Sequence, residues 1–350
     1  MTQPNPLRRR AITALVVVNL LWGISFPAMK ATNMIMEGRV GGVGASDSAS
    51  SGKAMAQMTA ACFLIIVRFS IALVLLGVFF PRLFHGLTRE QWRMGAWTGL
   101  AFAAGFVLQI VGLNYVPASR SGFLTSLTVV FTPLAMTAIE RRLPRGPVVV
   151  GAAAAVVGTA ILTGMIELGR PFGLRFASDA LGQVGAGDWL TAGAAVIFTL
   201  QIVLIDRFSR RMPAGQLTPG MFVATLAVGL VLFGAGHVLQ PPVGGLALWS
   251  GLLVDVPFLA LVLVMSVFCT VLAFYWMNKY QARVAPAQAA LIYTLEPIFA
   301  TVWAMFLPGL ISPLIRLDYP SERPGWGLVI GGALVVAGNA LALWPVKKTE

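Results

Sequence analysis

Ten stretches of about 20 apolar residues, almost free of charge, follow one another along the chain. They lie at 11–34, 58–80, 94–115, 119–139, 147–166, 188–205, 217–239, 257–277, 284–306 and 325–345. A bilayer core about 30 Å thick is crossed by a helix of that length. A helix also satisfies its backbone hydrogen bonds internally, as lipid demands. The apolar character runs round most of these stretches, so they are not surface helices of a soluble domain. Composition agrees: 57% of the 350 residues are hydrophobic and 11% charged, where a soluble domain carries about 25% charged residues. The expected fold is an all-α polytopic membrane protein with ten transmembrane helices, and a water-soluble enzyme is excluded. Arg8, Arg9 and Arg10 ahead of the first stretch imitate a secretory signal. That stretch is long for a signal's apolar region, and others follow it, so it reads as a signal anchor.

The formal charge of +12 could point to nucleic acid, but its placement gives another account. With the N-terminus in the cytoplasm, 16 of the 25 Lys and Arg residues fall on the cytoplasmic side and 7 outside, with Lys30 and Arg68 within spans. Basic residues mark the cytoplasmic side. Both termini are therefore expected inside, in the inner or plasma membrane, and no nucleic-acid partner is expected. Cys62 and Cys269 lie in apolar runs, and the two histidines, His85 and His237, sit outside the spans or at an outer end. That inventory points to no disulfide framework, metal site or cofactor. Gly52-Lys53 faintly resembles a phosphate loop, but the glycine spacing is wrong and Ala54 stands where Ser or Thr is needed. Three longer segments, 35–57, 167–187 and 307–324, are expected as extracytoplasmic loops, the first with flexible-linker composition.

The ten spans divide into two copies. Tyr115-Val116-Pro117-Ala118-Ser119 lies opposite Arg283-Val284-Ala285-Pro286-Ala287 at an offset of 168, and Pro133 lies opposite Pro297 at an offset of 164. The shift of four is about one helical turn, so the fourth helix is expected to be one turn longer before its proline. Trp22 to Lys30 repeats the spacing of Phe198 to Asp206. An odd number of spans per copy inserts the second copy upside down, and inverted repeats are characteristic of secondary transporters with a midplane site. The expected units are a first five-helix repeat at 1–166, a linker at 167–187 and a second repeat at 188–350.

Particular residues carry a resemblance. They are Trp22-Gly23-x-x-Phe26-Pro27-x-x-Lys30, Arg68-Phe69, Leu108-Gln109 with Ala118-Ser119-Arg120-Ser121, Val284-Ala285-Pro286-Ala287-Gln288, and Leu295-Glu296-Pro297. As an ordered set this resembles the drug/metabolite transporter superfamily, in its ten-helix EamA-domain group, over about 11–345. The resemblance implies a membrane carrier of small metabolites, amino acids or drug-like compounds, commonly moved outward.

A charge at the bilayer centre costs about 2.5–3.5 kcal/mol on insertion scales, so buried charged residues must find partners or water. Glu296 lies about 18 Å into its stretch at 1.5 Å per residue, followed by helix-loosening Pro297. It is either a substrate or proton site or a structural carboxylate bonded to a neighbouring helix. Tyr293, three residues earlier, shares its face. Arg68 cannot easily lose its proton and is expected to pin helices. Lys30 is expected to snorkel, although Asn19, Gly23, Phe26 and Lys30 form one stripe that could face a cavity. Gln109 with Phe102 and Phe106, Gln201 with Phe198, Trp22 and Tyr275 complete the candidate substrate-binding set. Gly95/Gly99 and Gly327/Gly331 are small-residue faces, the latter a possible homodimer contact.

The expected function is a secondary active transporter working by alternating access, with a proton as a possible coupling ion through Glu296. The alternatives are an intramembrane enzyme, or a receptor or assembly protein. An enzyme needs a nucleophile–base or metal constellation at one depth, and the sequence contains no His-Glu-x-x-His.

Overall fold

The computed structural model describes residues 6–40, 50–139, 141, 146–162, 166–169, 173–176, 184–239, 245–284, 289, 292–293 and 295–342. The principal helices are α1 (Pro6–Val40), α2 (Ser50–Phe79), α3 (Arg89–Gly112), α4 (Ala118–Ile139), α5 (Gly146–Leu162), α6 (Ala186–Ser209), α7 (Leu217–Leu239), α8 (Val256–Gln281), α9 (Glu296–Ile315) and α10 (Trp326–Ala342). Eight of them are long and apolar enough to cross a membrane; α5 and α10 are apolar and shorter, at 17 residues each. One departure from an all-helical chain is a two-stranded antiparallel ribbon, β1 (Ile166–Gly169) with β2 (Gly173–Phe176), in the expected linker.

Helix ends are set by local chemistry. Thr88 caps α3 in a reciprocal capping box with Gln91, and Asp255 caps α8 by accepting from Phe258 N at 3.0 Å. Two expected loops are shorter than their composition implies. α1 runs to Val40 and α2 starts at Ser50, so most described residues of the 35–57 segment are helical; 41–49 lie outside the described residues. Burial of Ile35, Met36 and Gln57 outweighs weak helix propensity there. Likewise α9 runs on to Ile315 through Pro308 and Pro313. Pro308 has no N–H to offer the Ala304 carbonyl, and the Glu322 backbone N–H donates to that oxygen instead, at 3.0 Å.

Two spans are interrupted. α4 breaks at Ser126–Leu127 and resumes at Thr128. The ninth span turns at Leu295 and α9 opens at Glu296. Glu296 is thus the first residue of a helix, not a residue deep within one. The expected extra turn of α4 before its proline falls after the break: Pro133 is the sixth residue after its break and Pro297 the second after its own, a difference of four. In α8 the middle, Met265–Leu272, is wound as a π-helix, a local widening frequent at functional sites.

The tightest packing is α5 on α10, α3 on α7 and α6, α1 on α9 and α8, and α2 on α7. Gly95 faces Gly220 across α3–α7, as a packing seam requires. Gly331 abuts Gly158 within the same chain, so the small-residue face considered for a homodimer is largely used internally. Outward faces carry Val74, Trp97, Val231 and Leu310, all well exposed, which is the surface lipid accepts.

Candidate functional site

The helices enclose a cavity of about 100 Å³. α1 contributes Trp22, Ser25, Phe26 and Met29; α2, Arg68; α3, Phe102, Phe106 and Gln109; α4, Thr125, Ser126 and Thr128. From the other half of the chain come Phe198, Gln201 and Ile202 of α6, Phe274 and Met277 of α8, and Tyr293 with Glu296. The wall is mainly aromatic. Trp22 lies 5.3 Å from Phe274 and 5.9 Å from Tyr293 between ring centroids, and Phe102 stacks on Phe106 at 4.9 Å. Such rings with a few convergent polar groups suit small amphipathic ligands.

Two charges face this cavity without pairing to each other. Arg68 is 1% exposed. Its Nε donates to Thr270 Oγ1 at 2.6 Å and its Nη1 to Ser25 Oγ at 3.1 Å and Met265 Sδ at 3.7 Å. Its guanidinium carbon lies 5.2 Å from the centre of the Phe106 ring. Met265 and Thr270 are five apart, and the π-helical turn brings both to this one group. Glu296, which also lines the cavity, joins no salt bridge among the described residues. The helix that it opens presents unsatisfied backbone N–H groups at that end, which favour an anion. Nearby, Tyr293 OH donates to Gln281 Oε1 at 2.7 Å, tying the residues before α9 to the end of α8.

Of the expected site residues, Glu296, Tyr293, Gln109, Gln201, Phe26, Trp22 and Arg68 line the cavity. Asn19, Lys30 and Tyr275 do not. The Asn19 amide donates back to Leu15 O at 2.6 Å. The Lys30 ammonium donates to Val116 O at 2.9 Å, holding the α3–α4 connection. Tyr275 stacks on Phe80 at 4.6 Å. The reason is rotation: the cavity stripe of α1 is 22, 26 and 29, not 19, 23, 26 and 30, and both stripes obey helical spacing. On α8 the lining residues are Phe274 and Met277, the first one position from Tyr275. Ser25, Thr125, Ser126 and Thr128 were not singled out by sequence; they are small hydroxyls of the kind that usually bond back to their own helix.

Polar contacts among residues that do not line the cavity tie the helices together. Arg120 grips Asp188 through two hydrogen bonds, at 2.7 and 2.6 Å, joining α4 to α6. Glu322, between α9 and α10, accepts from Ala118 N at 2.7 Å, from Ser119 N at 3.3 Å and from the Ser119 hydroxyl, capping α4 from another part of the chain. Tyr115 donates to Gln57. Beside them, burial and the neighbouring Glu322 push the Tyr319 phenol above its ordinary range.

Comparisons with known proteins agree with this architecture. The EamA-like transporter family matches residues 47–164. A protein of Archaeoglobus fulgidus described as an uncharacterized transporter is 24% identical over 330 residues, covering 94% of this chain and 86% of the relative. A solved crystal structure superposes with a TM-score of 0.55 at 18% identity, covering 95% of this chain and 96% of that one, which shows a shared fold. The chain is therefore a multi-pass membrane protein whose residues 47–164 match the EamA-like transporter family, in keeping with its resemblance to the drug/metabolite transporter superfamily.

Proposed function

We propose that the chain is a secondary active transporter of small metabolites or drug-like compounds, working by alternating access around the central cavity and running in the export direction. The observation that carries this reading is the cavity itself: both halves of the chain supply its walls, with Arg68 and Glu296 unpaired to one another. A rocking of one half against the other exposes such a chamber first to one side and then to the other.

Ten spans follow if α5 and α10, at 17 residues, cross with the rest, and that length is within the spanning range. Two features support inverted halves at 1–166 and 188–350. The interrupted spans resume at Thr128 and at Glu296, an offset of 168, the same offset that relates Tyr115–Ser119 to Arg283–Ala287. The packing also maps onto itself when each helix is exchanged with the one five places on. α3 lies on α6 as α8 lies on α1; α1 lies on α9 as α6 lies on α4; α2–α7, α4–α9 and α5–α10 are counterpart pairs. In the cytoplasmic-termini orientation, the Arg120–Asp188 and Glu322 contacts lie on the outer side. Export rests on the resemblance to a superfamily whose members commonly move compounds outward. Glu296 is the carboxylate placed to exchange a proton for substrate.

Purified protein in liposomes, with a panel of radiolabelled metabolites in counterflow, tests this directly. Accumulation of at least one compound above protein-free vesicles is expected; no movement of any compound by folded protein removes the reading. Tyr275→Phe and Lys30→Gln, outside the cavity and without contact to its contents, are expected to change the apparent affinity less than about threefold, under about 0.7 kcal/mol. A tenfold loss in either returns that residue to the binding set.

A further inference from the structure

We propose that the groove where the start of α3 meets the end of α6 binds an anionic phospholipid, with Arg89 and Arg93 on its phosphate and Trp97 against the upper part of its chains. This site is separate from the central cavity and does not depend on the transport reading.

Five arginines and two carboxylates gather at these helix ends. Arg89, Glu90 and Arg93 open α3, and Asp206, Arg207, Arg210 and Arg211 lie on or just after the last turn of α6. Arg211 Nη1 is 3.7 Å from Glu90 Oε1, which ties the two ends together, and Arg210 Nη2 is 3.0 Å from Asp206 Oδ2. Both acids are thereby engaged. Arg89, Arg93 and Arg207 have no ion pair among the described residues, and all three are exposed. The groove is lined by Arg89, Glu90, Arg93, Met94, Trp97 and Phe208, so two of the three unmatched cations stand in it. An anion is the ligand that this charge balance lacks.

What lies below the cations says which anion. Arg89, Arg93, Trp97 and Leu100 are spaced four, four and three residues apart, which puts them on one face of α3. That face is exposed throughout, Trp97 at 58% and Leu100 at 41%. At 1.5 Å per residue Leu100 lies about 16 Å further along the helix than Arg89, and α3 is long and apolar enough to cross a membrane. From its end inward the face runs cation, cation, aromatic ring, aliphatic chain. A phospholipid has the matching order, since tryptophan prefers the headgroup level and aliphatic side chains the hydrocarbon. Phe208 supplies a second ring from the α6 side. A free phosphate would meet the arginines and leave the apolar part of the face unused. Basic pockets between membrane helices hold anionic headgroups for this reason. A choline lipid carries a cation beside its phosphate, which unmatched arginines repel.

The test uses full-length protein in a neutral detergent, with lipid binding read by native mass spectrometry and by thermal stabilisation. The probes are phosphatidylglycerol, phosphatidylcholine with the same chains, and glycerol 3-phosphate, which has the anionic phosphate without chains. Phosphatidylglycerol is expected to bind about 25-fold more tightly than phosphatidylcholine, two arginines at about fivefold each, and raised salt is expected to narrow the gap. Arg89→Gln with Arg93→Gln is expected to abolish the preference, and each single variant to reduce it about fivefold. Both side chains are exposed and unpaired, so folding is expected to survive; should the double variant fail to fold, the single variants decide. Arg323→Gln is the control for charge alone, because it lies at the other end of the bundle, beside the Glu322 that meets Ala118. It is expected to leave the preference intact. Phosphatidylcholine within about threefold of phosphatidylglycerol overturns the proposal, as does an undiminished preference in the arginine variants. Glycerol 3-phosphate binding as tightly as the lipid would make the groove a soluble-anion site and overturn it too.

Discussion

Glu296→Gln is expected to cut transport about 100-fold, the loss of one charge-assisted contact at a desolvated site, while leaving the protein folded. Two accounts of this carboxylate were open from the sequence: a ligand or proton site, or a structural acceptor tied to a neighbouring helix. The second needs donors, and no described side chain donates to it or lies within ion-pair distance of it. Its surroundings are the N-terminal turn of α9 and the cavity. Glutamine keeps the size and the hydrogen-bonding reach but cannot carry the negative charge or trade a proton. A carboxylate that holds either a proton or a cationic group, and not both, is the smallest device for exchanging one against the other across a bilayer. In the variant, any residual flux is therefore expected to lose its response to an imposed pH gradient. Unfolded or aggregated Glu296→Gln protein, or full pH-driven flux, would contradict the assignment; the first outcome would make the residue structural and the second would remove it from coupling.

The path to this residue shows what a sequence of this kind discloses. Apolar stretches separated by charged or Gly- and Pro-rich breaks identify the membrane helices, because lipid leaves the backbone so few alternatives. A charge inside such a stretch stands out for the same reason, so Glu296 and Arg68 were both visible. The partners of Arg68 were not. Thr270 lies 202 positions away and Ser25 43 positions away, and nothing local marks either hydroxyl. Rotation about a helix axis was equally hidden: Asn19 and Lys30 fit one stripe on α1 and Trp22 and Met29 another, and only the neighbours of α1 decide which turns inward. Pro297 marked a weak point in the ninth span, but not that the helix begins at Glu296 and gives the carboxylate a helix N-terminus. Glu322 falls in the expected 307–324 loop, and nothing in the sequence around it marks it. Its role as the cap of α4 depends on Pro308, which leaves the Ala304 carbonyl free for the Glu322 backbone and so brings that loop down onto the bundle.

Gly99→Val is expected to destabilise the protein by about 3 kcal/mol, the upper end of the cost of overpacking a well-packed core, and to lower its unfolding temperature in detergent accordingly. The α3–α7 seam has no room for a side chain. A Cβ at Gly99 would meet Met221 O at 2.4 Å, Ala224 Cβ at 2.8 Å and Met221 Cα at 2.9 Å. Two of those three atoms are backbone, so relief requires moving α7 away from α3 rather than turning a rotamer. The cost spreads along the seam, because Gly95 and Gly220 approach one another four residues lower on α3. Gly77→Ala is the matching control. Nothing lies within 4 Å of its added Cβ, and within α2 an alanine gains about 0.5–1 kcal/mol over glycine, so the variant is expected to be as stable as the parent or more so. The seam also joins a helix from the N-terminal part of the chain to one from the C-terminal part, and on the alternating-access reading proposed above it is a surface that moves. Small residues let two helices slide past one another, and a valine wedged there obstructs the sliding even in protein that still folds. Substrate binding at equilibrium with flux lost would therefore mark the seam as a moving surface. Parental stability in Gly99→Val would mean that α3 and α7 are not in the close contact described.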